Sequence, residues 1–116
     1  MRKLAALLAL TTVVLALGAS ASAASKTLTG TAGPGFTITL ESGSAAVKTL
    51  TPGAYTIVVH DKSNIHNFHL FGPGVNKKST VPAVGTTTWV VKLAKGTYHF
   101  VCDPHKTIMK GQFVVG

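Results

Sequence analysis

Between Ser25 and Val115 glycine and proline punctuate the chain at intervals of roughly ten residues, and the runs between them are rich in threonine, valine, isoleucine, tyrosine and phenylalanine. No amphipathic helix breaks that rhythm. The pattern predicts an all-β sandwich or barrel of about eight strands, near 26–31, 36–40, 46–50, 54–60, 67–71, 86–93, 96–102 and 111–115. Gly33-Pro34-Gly35, Pro52-Gly53 and Gly72-Pro73-Gly74 supply the fixed or positive φ that reversals need, and Lys95-Gly96 marks a hairpin. Strand alternation puts Trp89, Val91 and Leu93 on one face, and Tyr98, Phe100 and Cys102 on one face of the next strand. These are the expected core.

At 116 residues there is room for one domain, which excludes multidomain enzymes. The hydrophobic content of 46% is high beside 12% charged residues, and much of it lies before the strands begin. Arg2 and Lys3 precede an apolar run from Leu4 to Leu17 and a tail of glycine, alanine and serine. That is the form of a secretory signal peptide over residues 1–24, with cleavage near Ala23 or Ala24 and a domain over 25–116. The apolar run falls short of the roughly 20 residues of a spanning helix, and no span is expected in the mature chain. Export to a periplasm or to the outside of the cell is the expected location.

Removing residues 1–24 takes two charges from a formal net +8 and leaves lysines spread along the chain against Glu41, Asp61 and Asp103. No arginine remains to make forked contacts to phosphate or guanine, so a nucleic-acid partner is not expected. The basic surface suits acidic protein partners.

Cys102 is the only cysteine, so no disulfide forms within the chain. An inert buried thiol, an intermolecular disulfide and a metal ligand are the alternatives. The neighbours favour the last. His105 and Met109 follow Cys102 within one short loop, and His66 stands upstream in Asn64-Ile65-His66-Asn67-Phe68-His69. Two imidazoles, a thiolate and a weak thioether form the ligand set of a blue-copper electron-transfer centre, since soft sulfur favours Cu(I) and imidazole suits both oxidation states. Zinc accepts the histidines and the thiolate but has little use for a methionine.

On the segments His66-Asn67-Phe68 and Gly96-Thr97-Tyr98 through Cys102-Asp103-Pro104-His105 to Met109 and the terminal strand, the chain resembles the cupredoxins, the small copper proteins that include plastocyanin, amicyanin and azurin. The resemblance implies a Greek-key β-sandwich holding one type 1 copper ion. It makes His66, Cys102 and His105 equatorial ligands and Met109 axial. It further implies a monomeric, non-enzymatic carrier that passes single electrons to redox partner proteins. Three residues separate His105 from Met109, one fewer than in plastocyanin and one more than in amicyanin. Asn67 resembles the family's asparagine that ties the two ligand loops, although its usual partner beside the cysteine is serine or threonine and here it is Asp103. An aspartate there is expected to accept from Asn67 and to lower the reduction potential. Pro104 has no N–H to offer the sulfur.

In the family the second histidine emerges through an apolar patch, and Gly72, Pro73, Gly74 and Val75 with Pro104 and Ile108 are expected to form it around His105, near Lys77, Lys78, Lys106 and Lys110. His60, His69 and His99 are expected to be structural or surface residues. Copper storage, buffering or delivery would use the same ligands, but a delivery protein is expected to be richer in methionine than Met1 and Met109. A copper enzyme would need further histidine clusters, and a metal-free module would leave the Cys, His and Met grouping unexplained.

Overall fold

A computed structural model of the chain describes residues 26–116. The segment 1–24, read as a signal peptide, lies outside the described residues. Ten strands alternate through the chain: β1 (Lys26–Ala32), β2 (Ile38–Ser42), β3 (Ala45–Ala46), β4 (Thr49–Leu50), β5 (Gly53–Asp61), β6 (His69–Gly72), β7 (Val75–Lys78), β8 (Gly85–Leu93), β9 (Gly96–Val101) and β10 (Lys110–Val115). One 3-10 turn, Asp103–His105, interrupts them. Among the described residues no helix is long and apolar enough to cross a membrane.

The strands form two five-stranded sheets, ordered β3-β2-β1-β5-β8 and β4-β10-β9-β6-β7. Strands far apart in sequence lie side by side, with β1 parallel to β5 and β10 parallel to β4, so long connections pass between the sheets as a Greek-key sandwich requires. Alternation along β5 turns Tyr55, Ile57 and Val59 inward, and on β9 it turns in Tyr98 and Phe100. Leu28, Leu40, Leu70, Leu93 and Phe113 close the core between them, with Trp89 packed at its margin.

Two tyrosines pin corners of the sandwich. The Tyr55 hydroxyl donates to the Thr51 carbonyl at 2.6 Å, and the Tyr98 hydroxyl lies 3.0 Å from the Ala94 carbonyl and 2.9 Å from the Pro73 carbonyl. Each reaches back to the backbone four residues upstream, the arrangement of a tyrosine corner. Across β9 and β10, the Phe100 ring lies over its register partner Gly111, where any Cβ would enter the ring's own space. Gly111→Ala is therefore expected to destabilise the fold by about 1–3 kcal/mol through overpacking, read as a fall in the thermal midpoint. An unchanged midpoint would show that Phe100 can swing away without loss.

The sheet registers differ from the sequence expectation at four places. The stretch 46–50 is not one strand: β3 pairs with β2 in the first sheet, and β4 pairs with β10 in the second. The chain changes sheets at Val47 and Lys48, whose N–H and carbonyl bond to Leu40 and Val114 respectively. The strand expected at 36–40 begins at Ile38, because Gly33 N–H bonds to the Thr37 carbonyl and closes a loop first. The strand expected at 67–71 begins at His69, since the Asn67 and Phe68 amides donate to Cys102 Sγ and Ser79 Oγ and not to a neighbouring strand. β7 is an edge strand whose Asn76, Lys77 and Lys78 are exposed, and charge on an edge masks the strand pattern while it blocks further pairing.

Register also fixes where the loops collect. Ala32 pairs with Asp61 at the ends of β1 and β5, and His69 pairs with Val101 at the start of β6 and the end of β9. The loops 33–37, 62–68 and 102–109 therefore meet at one end of the sandwich. The Gly72-Pro73-Gly74 turn lies at the other end, where Tyr98 bonds to the Pro73 carbonyl and Pro73 packs against Gly96. Gly72, Pro73, Gly74 and the buried Val75 thus form no patch around His105. The β6–β7 hairpin carries that turn away from the 62–68 and 102–109 loops.

Candidate metal centre

Cys102 follows β9 directly, and the strand's alternation sends its side chain into the core end, where it is fully buried. The chain then folds back over it. Cys102 N–H donates to the Met109 carbonyl at 3.0 Å, His105 N–H to the Cys102 carbonyl at 3.0 Å, and Met109 N–H to the His105 carbonyl at 2.8 Å. Pro104 suits the first turn of the 3-10 element, where its missing N–H is not needed. This closed loop holds His105 at the rim, partly exposed, and Met109 fully buried. His66 arrives from the 62–68 loop and is fully buried.

His66, Cys102 and His105 form one group whose donor atoms converge. His66 Nδ1 lies 3.1 Å from His105 Nδ1, and Cys102 Sγ lies 3.7 Å and 3.6 Å from these two nitrogens. A point equidistant from three atoms so placed is about 2.0 Å from each, which is the length of a metal–imidazole bond and a little under that of a metal–thiolate bond. The three atoms fit a trigonal metal ion without rearrangement.

Polar contacts support the thiol from the opposite side. Asn67 N–H points at Cys102 Sγ at 3.4 Å, the kind of contact that stabilises a thiolate. The Asn67 side chain joins the 62–68 loop to the 102–109 loop: Nδ2 donates to Asp103 Oδ2 at 2.8 Å and to the Ser79 carbonyl at 3.1 Å, while Oδ1 accepts from Asp103 N–H at 2.8 Å. The tie expected between Asn67 and Asp103 is present. Asp103 Oδ1 also meets His69 Nδ1 at 2.8 Å, and His69 Nε2 meets Asn76 Oδ1 at 2.6 Å. Burial alone would push the Asp103 carboxyl up, but hydrogen bonds from Asn67 and His69, with the charges of His69 and Lys78, hold it below the ordinary carboxylate range. Its contribution to stability is therefore complete above that range and fades as pH falls through the lowered value.

His69 thus lies outside the converging trio and within this network. His60 contacts Thr86 at 3.0 Å on the outer face of its sheet, and His99 stacks on Phe71. All three stand apart from the donor triangle, as expected.

Two residues at this end were not legible as site residues. Phe36 sits edge-on to both imidazoles, with ring centroids 5.4 Å from His66 and 5.0 Å from His105, and is 56% exposed. It stands outside any strand, in the loop closed by Gly33, and the only signal in the sequence is an aromatic residue directly after Gly33-Pro34-Gly35. Asp61 ends β5 with its side chain turned inward and is 4% exposed. Desolvation raises its carboxyl above the ordinary range, against a hydrogen bond from Ser63 N–H and the nearby His66.

Two facing sheets with a buried thiol and two imidazoles converging at one end define a small β-sandwich metalloprotein with a thiolate-containing site. Residues 37–116 match the family described as copper binding proteins, plastocyanin/azurin family. The chain belongs to that family of cupredoxins. Among solved structures it is similar to reduced rusticyanin, at 20% identity and TM-score 0.58, covering 78% of this chain and 80% of that one. An amicyanin variant in its Cu(I) form matches at 18% identity and TM-score 0.51, over 78% and 83% of the two chains. A chain of a heme-copper terminal oxidase dimer matches at 20% identity and TM-score 0.55, over 78% and 63%. No curated protein sequence matches. Family and donor set together define one copper ion as the cofactor.

Proposed function

We propose that this chain is an exported electron carrier in which His66, Cys102 and His105, together with the buried Met109, would hold one copper ion. The observation that carries the reading is the donor triangle, already at bonding size and buried beneath a single partly exposed imidazole. Bound there, copper supplies a one-electron Cu(II)/Cu(I) couple. The protein's part is to hold the donors still. The hydrogen bonds closing the loop from Cys102 to Met109, and the Asn67 N–H at the sulfur, would hold the donor atoms in one arrangement while the ion changes charge. Little reorganisation then accompanies transfer, and the buried position of Cys102 and Met109 shields the thiolate from oxidants.

Electrons would pass at the rim by His105. Phe36 at 56%, Ile65 at 49% and Ile108 at 63% exposure, with the exposed Pro104, give this end an apolar surface, and Lys62, Lys77, Lys78 and Lys106 add positive charge. Such a surface suits brief docking of a monomer to acidic redox partners, since transient redox contacts are small and steered by charge. The buried site and single methionine ligand support electron transfer over copper delivery, and the same closure supports a carrier over an enzyme with an open coordination position. Residues 1–24 fit a cleaved signal peptide, which leaves the domain 25–116 as the working protein.

The test is to add one equivalent of Cu(II) and record the visible spectrum with and without ascorbate. An intense thiolate-to-copper charge-transfer band is expected, bleaching on reduction and returning on oxidation. Copper bound without that band would overturn the reading.

A further inference from the structure

Among the described residues two buried side-chain atoms lack a hydrogen-bond partner, His66 Nε2 and Asp61 Oδ2. Their needs are complementary. Nδ1 is the ring nitrogen turned toward Cys102 and His105, so a neutral His66 that offers Nδ1 to a metal carries its proton on Nε2, which must then donate. A carboxylate oxygen can only accept. Buried groups left unpaired are costly, and two such groups at one place call for a common explanation.

They are at one place because a single turn holds them. Ser63 N–H donates to Asp61 Oδ1 at 3.1 Å, and His66 N–H reaches the Ser63 carbonyl at 3.4 Å. Lys62 N–H bonds to the Ala32 carbonyl, which brings Gly33 against the same turn. The edge of the His66 ring that bears Nε2 lies there too: a Cβ on Gly33 would stand 2.9 Å from His66 Cδ2 and 3.4 Å from Ser63 Cβ. The side of the imidazole away from the copper site therefore faces the turn that Asp61 begins.

We propose that Asp61 is a positioning residue for His66: its carboxylate accepts the Nε2–H through one bridging water, and so fixes the tautomer that presents Nδ1 to the metal. This rests on the copper reading above. A metal-bound histidine commonly gives its second N–H to such an acceptor, and the acceptor's negative charge makes the ring a better donor to Cu(II).

Asp61→Asn is the informative variant, because the amide oxygen can still accept from Ser63 while an N–H group replaces Oδ2. Nitrogen-resolved proton spectra of the metal-free protein should show His66 as the Nε2–H tautomer with slowed solvent exchange, and the variant should speed that exchange at least tenfold. In the copper-loaded protein the variant should lower the preference for Cu(II) over Cu(I) about tenfold, a rise in potential of about 59 mV. A wild-type His66 that is protonated on Nδ1, or that exchanges at the rate of a free imidazole, overturns the proposal. So does a folded Asp61→Asn protein with unchanged exchange and potential. The metal-free tautomer decides for or against Asp61 even where no thiolate band forms, so the two readings fail separately.

Discussion

Asn67→Leu is expected to destabilise the metal-free protein by about 2–4 kcal/mol, lowering its thermal midpoint by roughly 10–25 °C. Leucine keeps the volume of a nearly fully buried side chain but removes all three of its hydrogen bonds. Asp103 N–H and the Ser79 carbonyl then lose their partners at part-buried positions, and each of the three lost bonds costs about 1 kcal/mol. The loss is larger than for an ordinary surface bond because both partners belong to loops. Asn67 is what joins the 102–109 loop to the segment after β7, with the Asn67 N–H still reaching Cys102 Sγ behind them. Asn67→Asp is a sharper control. It can still accept from Asp103 N–H, yet it sets a second carboxylate against Asp103 Oδ2, so it should be weaker still at neutral pH and recover partly in acid. A leucine variant of wild-type stability would show that the loops are held by the backbone bonds of the Cys102–Met109 loop alone.

The parts of this architecture visible in the sequence are those where one residue type has one physical job. Alternation along 86–93 and 96–102 placed Trp89, Val91, Leu93, Tyr98, Phe100 and Cys102 on inward faces, and the strands β8 and β9 bear that out. The convergence of Cys102 with His105 and His66 was readable because thiol and imidazole together have few other uses. What was hidden depends on pairing between distant segments. Nothing local distinguishes Ala45-Ala46 from Thr49-Leu50, which join different sheets because Leu40 and Val114 take the bonds between them. The Gly72-Pro73-Gly74 turn looked suited to an apolar patch, but which end of the sandwich it occupies is set by β6–β9 register. Asp61 lies one residue past the strand expected at 54–60, so nothing marked its side chain as inward. Its inward direction follows from the same alternation that buries Ile57 and Val59, carried one step past the hydrophobic run.

Asp103→Ser is expected to raise the reduction potential, with a tenfold change in the relative affinity for Cu(II) and Cu(I) corresponding to about 59 mV. A carboxylate beside Cys102 stabilises the more highly charged ion, and serine removes that charge while keeping an oxygen for Asn67 Nδ2 and the backbone N–H that donates to Asn67 Oδ1. The loops should therefore stay tied while the charge is lost. His69 opposes the effect, because its ring hydrogen-bonds Asp103 Oδ1 and draws on the carboxylate's charge. A His69→Leu companion separates the two contributions: with Asp103 intact it should lower the potential, since the hydrogen bond to Asp103 Oδ1 is gone. The acid behaviour of stability provides a second reading of the same residue. The Asp103 carboxyl is held low, so wild-type stability should fall as pH drops through that lowered value, and the serine variant should lack this component of the acid loss. An unchanged or lowered potential in Asp103→Ser, measured by voltammetry on protein with an intact thiolate band, would mean that solvent screens the carboxylate from the metal and that its role is confined to the Asn67 and His69 hydrogen bonds.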